Sequence, residues 1–191
     1  VLDGEDVIAD YAASSGGLGT LLARYTNGLG IDQKLSMNRS GANYQYVADA
    51  LGSTRLLLNS AQTVANSYLT DAWGVGLQTN GTIANRYQYT GRELDPESGK
   101  YCFRARTEDP YRGIFLQRDP ARSGANLRVY TKGNPVNRKD PFGLFDVVLD
   151  GTQFEADPDS DTNFANNLMT MKTVIDPDPT KNPNHPLYRV Q

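Results

Sequence analysis

"YQYVADALGSTRLLLNSAQTVANSYLTDAWGVGLQTN", residues 44–80, says nearly the same thing twice. Tyr46, Asp49 and Gly52 recur 22 residues later as Tyr68, Asp71 and Gly74, and Ala follows the Asp in both copies. Tyr25 lies 21 residues before Tyr46, and Tyr89 lies 21 residues after Tyr68. Each unit reads as a Tyr-bearing strand, a turn marked by Asp or Asn and Gly, and a second strand such as "STRLLLN". That is one β-hairpin per repeat. One hairpin cannot bury its own apolar face, but hairpins laid side by side make a continuous sheet with Tyr and Leu lining one surface. The Gly spacing and the aromatic and β-branched content disfavour a helical reading.

The composition agrees. Of 191 residues 38% are hydrophobic, while 18 Gly, 10 Pro and 11 Tyr favour turns and strands. No run of about 18 apolar residues exists, so no membrane-spanning helix is expected. Val1 starts in mid-pattern, without an initiator Met or signal peptide, and reads as the start of a fragment. The single Cys102 leaves no internal disulfide and no Cys partner for a metal. It is expected to be a small buried hydrophobe.

A second stretch, "NPVNRKDPFGLFDVVLDGT" at 134–152, switches from turn formers to an apolar run. The charge changes there too. Up to Leu144 the chain has 16 Lys and Arg against 14 Asp and Glu; from Phe145 on it has 3 against 8. The near-balance of the first part argues against a nucleic-acid surface. The step marks a boundary between two parts of one chain.

The repeat resembles the tyrosine-aspartate repeat of the rearrangement hotspot (Rhs) family. The resemblance sharpens at residues 87–144, where "YTGRELDPESGKYCFRAR", "DPYRGIFLQRDP" and "NPVNRKDPFGL" look like the Rhs-associated core. One departure is "RTEDPYRG", with Thr107 and Glu108 where the family commonly has two Tyr; it is expected to change packing in the plug without touching the acidic motifs. The resemblance implies a mainly β architecture of antiparallel hairpins. Residues 1–86 would be repeats at the end of a hollow shell, residues 87–144 the core that plugs it, and residues 145–191 the start of an enclosed toxin.

The resemblance also implies chemistry. Seven Asp-Pro pairs occur, and most need no more than turn formation. Asp119 in "LQRDP" and Asp140 in "RKDPFGL" match acidic residues linked to self-cleavage, with the cut between Leu144 and Phe145. Cleavage by such a pair needs one carboxylate to take a proton from water and one carboxylic acid to give a proton. Two nearby carboxyls split their pKa values and so provide both states. Arg118, matching the family Arg beside this Asp, would hold one carboxylate ionised or orient the carbonyl. The non-chemical alternative is an ion pair, Arg118 with Asp140 or Arg138 with Asp119. Gly143 is expected to leave room at the bond and to take backbone angles closed to other residues, and Leu144 to fill a pocket that sets register. No cofactor or metal is required.

After the cut, "FDVVLDGT" reads as a buried strand and turn, and "DTNFANNLMTMKTVI" as a capped helix with Phe164, Leu168, Met171 and Ile175 on one face. This suits the opening of an α/β unit and resembles the start of type VI secretion lipase effectors. No nucleophile-elbow motif follows, and neither Ser160 nor His185 is assigned a catalytic role. The expected partners are the chain's own C-terminal toxin segment, the rest of the shell, a secretion spike and an immunity protein. Nucleic acid is not expected, and membrane lipid only for a lipase cargo. Such a protein would be made in a bacterial cytoplasm and secreted or delivered into target cells. The competing readings are a β-repeat surface module that does not cleave, and part of a phospholipase effector whose catalytic residues lie beyond this chain.

Overall fold

A computed structural model describes residues 1–4, 6–120 and 125–148. A small hairpin of β1 (Leu2–Asp3) and β2 (Asp6–Val7) precedes a seven-stranded antiparallel meander. Its strands pair in sequence order: β3 (Ala9–Tyr11), β4 (Leu21–Asn27), β5 (Lys34–Arg39), β6 (Ala42–Ala48), β7 (Thr54–Asn59), β8 (Val64–Thr70) and β9 (Gly76–Asn80). The repeats set this order. Tyr25, Tyr46 and Tyr68 each lie in the first strand of a hairpin, β4–β5, β6–β7 and β8–β9. The register sets Tyr25 opposite Met37, Met37 opposite Tyr44 and Tyr46 opposite Leu57. One face therefore carries Ala23, Tyr25, Met37, Leu57 and Tyr68 into a buried cluster closed by Tyr87.

The Asp and Gly of each repeat form the turn. Asp49 Oδ1 accepts the amides of Leu51 and Ser53 at 3.0 and 2.9 Å, and Asp71 Oδ1 accepts those of Trp73 and Val75, both at 2.9 Å. Gly52 and Gly74 close these turns at φ of +88° and +93°, in the left-handed region that β-carbons penalise. The turns in turn receive the rest of the molecule. Ser53 Oγ accepts the Thr90 amide at 2.9 Å, Tyr89 donates its hydroxyl to the Ala72 carbonyl at 2.8 Å, and Tyr101 donates to the Gly74 carbonyl at 3.1 Å.

The repeat stops at its fourth Tyr. Tyr89 lies not in a strand but in a single 3-10 turn, Tyr89–Gly91, and turns into a second core. There a four-stranded antiparallel sheet runs β10 (Glu93–Asp95), β11 (Lys100–Phe103), β12 (Arg106–Asp109) and β13 (Ile114–Phe115). Tyr89, Tyr101, Phe103, Phe115 and Tyr130 pack as one buried aromatic cluster, and Trp73 from the β8–β9 turn packs against it. The ring centroids of Phe103 and Tyr130 are 5.2 Å apart, those of Phe115 and Tyr130 5.5 Å. Cys102 is not buried. Strand alternation sends Tyr101 and Phe103 inward, so Cys102 between them faces solvent.

Glu108 is the exception on the inward face. Register places it opposite both Tyr101 and Phe115, it is wholly buried, and neither carboxyl oxygen has a hydrogen-bond partner. Burial, reinforced by Asp109 and Asp71, pushes its carboxyl up to about 9. At "RTEDP" the chain thus places a buried acid among aromatic rings.

The last described strands are β14 (Arg138–Lys139) and β15 (Val147–Val148), an antiparallel pair. Of the expected strand after Phe145, the described part is Val147–Val148, and it pairs back onto the residues before Asp140. The expected helix at 161–175 and the positions of Ser160 and His185 lie outside the described residues. Among the described residues no helix is long and apolar enough to cross a membrane.

Candidate functional site

The two strands β14 and β15 enclose the loop Asp140–Asp146, which contains the peptide bond singled out by sequence. The loop wraps around the tight turn between β11 and β12, "FRAR" at 103–106. The Ala105 amide donates to the Phe142 carbonyl at 3.1 Å. Arg104 donates to the Pro141 carbonyl, and Arg106 Nε donates to the Gly143 carbonyl. Arg104 is itself held by Asp32, 2.8 Å away, which also pairs with Arg92 at 2.6 Å. The repeat sheet thereby grips the loop through one buried carboxylate.

Asp140 is the centre of the loop. It is completely buried. Its Oδ2 pairs with the Arg106 guanidinium at 3.0 Å, and its Oδ1 accepts the backbone amides of Leu144 and Phe145 at 3.0 and 3.2 Å. A carboxyl oxygen thus touches the nitrogen of the Leu144–Phe145 bond. Burial pushes the Asp140 carboxyl up to about 7, against the pull of Arg106 and of the two amides. Asp140 therefore holds a proton for part of the time at neutral pH.

Gly143 has a geometric reason to be glycine. Its φ is +67°, and an added β-carbon would lie 2.4 Å from the Phe103 carbonyl oxygen and 3.0 Å from the Arg106 nitrogen. The crowding comes from the β11–β12 turn, not from the two acids. Gly143→Ala should lift the loop off this turn and lower stability by about 2 kcal/mol, read as a fall in the thermal midpoint. Leu144 is half-buried and not a fully enclosed anchor, while the ring of Phe145 stacks on Phe142 at 5.4 Å.

Asp119 is buried, and its amide donates to the Leu127 carbonyl at 2.7 Å. Its charge acts on a third acid, Asp146, which in turn acts on Asp140. Asp146 is half-buried, 3.9 Å from Arg138, and its carboxyl is raised by burial. Arg118 is exposed. The guanidinium at Asp140 belongs to Arg106, not to Arg118 as in the alternative ion pair considered from sequence. Arg106 and Asp146 are the residues that sequence reasoning missed. Among the described residues no three His, Cys, Asp or Glu side chains are grouped to hold a metal.

No family model matches the chain. It is 34% identical over 118 residues to salivary gland surface protein 1 of Aedes aegypti, covering 60% of this chain and 4% of that protein. It is 34% identical over 120 residues to the tRNA3(Ser)-specific nuclease WapA of Bacillus spizizenii, covering 58% of this chain and 5% of that protein. A crystal structure of TcdB2-TccC3 superposes with a TM-score of 0.59 at 21% identity, over 69% of this chain and 7% of that one. This chain thus spans only a small part of each of these proteins, and the likeness to the TcdB2-TccC3 chain is one of fold, an Rhs-related β-rich fold.

Proposed function

We propose that this chain is the closing end of a toxin shell that cuts its own backbone between Leu144 and Phe145. The observation that carries the reading is Asp140: a wholly buried carboxyl, raised to about 7, with one oxygen 3.2 Å from the Phe145 nitrogen. In the proposed reaction water attacks the Leu144 carbonyl carbon and gives its proton to the Asp119 carboxylate. Asp140 gives its proton to the Phe145 nitrogen as the C–N bond breaks. The products are a carboxyl group on Leu144 and an amine on Phe145, so water has been added once and no other reactant is needed. Arg106, bonded to the Gly143 carbonyl, orients the residue before the bond.

In this reading the segment from Phe145 on is the cargo, and the rest of a shell, a delivery spike and an immunity protein are the partners. The chain would be made in a bacterial cytoplasm and secreted or delivered to target cells. A second reading has its own observation. The Arg106–Asp140 pair and the two amides on Asp140 would also serve as a clasp with no chemistry. The test is the intact mass of the chain after native expression. Cleavage yields a product ending at Leu144; a chain that stays whole under folding conditions supports the clasp.

A further inference from the structure

The residues beyond the bond are built into the site. Register pairs Arg138 with Val148 and Lys139 with Val147. Continuing that antiparallel pairing by one step sets Asp146 opposite Asp140. Val147, next to it, is 5% exposed, and the Asp146 side chain is 10% exposed. Directly opposed like charges disfavour each other's ionisation. The charges around Asp146 come from four places: Arg138 on its paired strand, Lys132 in the Thr131–Gly133 turn, Arg106 on β12 and Asp119 after β13. Asp140 faces Arg106 and Asp146, and also acts on the buried Tyr130. Arg138, at 3.9 Å, is the ion-pair partner that keeps the Asp146 carboxylate turned toward this cluster.

We propose that Asp146, the second residue on the cargo side of the bond, is a positioning residue for the cleavage: tied to Arg138 and opposite Asp140, it registers the 144–145 peptide and sets a second carboxylate against Asp140. The inference rests on the cleavage reading above. It makes the cargo's own leading residues part of the machinery that frees them. It also means that the cut leaves a new amino terminus, Phe145, still held by the β14–β15 pair and by the stack on Phe142.

The test is the pH profile of cleavage. The chain is made by cell-free translation, moved into buffers from pH 5 to 9, and sampled over time for the product ending at Leu144. Burial is the main cause of the Asp140 shift and Asp146 the smaller one. Asp146→Asn should therefore move the alkaline limb of the profile by about half a pH unit toward acid, slowing cleavage about threefold at pH 8. Loss of the Arg138 tie should also slow cleavage at pH 5, but by less than at pH 8, and a thermal midpoint measured alongside shows that the variant folds. Asp146→Glu should restore the parent profile. A parent that is cut and an Asp146→Asn variant with an unshifted profile overturn the role of Asp146 alone. A parent that is never cut overturns the cleavage reading, and this inference with it.

Discussion

Asp140→Asn should leave the chain whole. Asn keeps an oxygen where Asp140 Oδ1 accepts the Leu144 and Phe145 amides, so the loop retains its hydrogen bonds. It cannot give a proton to the Phe145 nitrogen. Cleavage should slow by at least about 100-fold, the lower end of what a positioned general acid supplies. Asn also leaves the buried Arg106 without its anion, which costs about 3 kcal/mol when one member of a buried pair is removed. Thermal unfolding must therefore be measured beside the mass. A folded Asp140→Asn chain that still yields the product ending at Leu144 rules out the two-carboxyl mechanism. Asp119→Asn should also stay whole, through loss of the base. In the parent, cleavage should fall as pH rises through about 7, where Asp140 loses the proton that the leaving nitrogen needs.

The sheet was legible because two independent signals share one period. Tyr at each unit supplies the buried face, and Asp with Gly supplies the turn; the side-chain bonds of Asp49 and Asp71 are the same bonds made twice. Asp140 stood out in the sequence only through the motif resemblance, since spacing says nothing about where a buried loop closes. Arg106 was not. It stands 34 residues before Asp140, and only the β11–β12 turn brings the two together. Arg118 was the nearer choice along the chain, but it falls on the exposed side. Cys102 could have been read correctly. It sits between two aromatic residues in a period-two strand, and alternation outranks the general tendency of Cys to be buried. Asp146 was hidden for another reason. The charge step at Phe145 suggested a boundary, whereas the backbone of the next few residues is still paired with the strand before Asp140.

Glu108→Gln should stabilise the fold at alkaline pH and leave it nearly unchanged in acid. The sign follows from burial. The Glu108 carboxyl rises from 4.5 to about 9 in the folded chain, chiefly by burial, then by Asp109 and Asp71, with Lys100 opposing. In the unfolded chain it titrates near its ordinary value. The folded state therefore binds the proton more tightly, and stability falls as pH rises from about 4.5 to about 9. Gln does not titrate, so its stability curve lacks that slope. At pH 8 the variant should exceed the parent by about 3 kcal/mol, discounted from the full shift because the amide is itself a buried polar group. At pH 4 the two thermal midpoints should converge. Parallel curves across the whole range would mean that Glu108 is hydrated or paired in solution and that its burial among Tyr89, Tyr101 and Tyr130 is wrong. The same titration bears on the cleavage site. Tyr130 packs on Phe103 and Phe115 and feels the charge of both Glu108 and Asp140. An anionic Glu108 loosens the aromatic cluster on which the 103–106 turn rests. Where the parent loses cleavage at alkaline pH, part of that loss should come from this loosening, and Glu108→Gln should recover that part while leaving the part set by Asp140 in place.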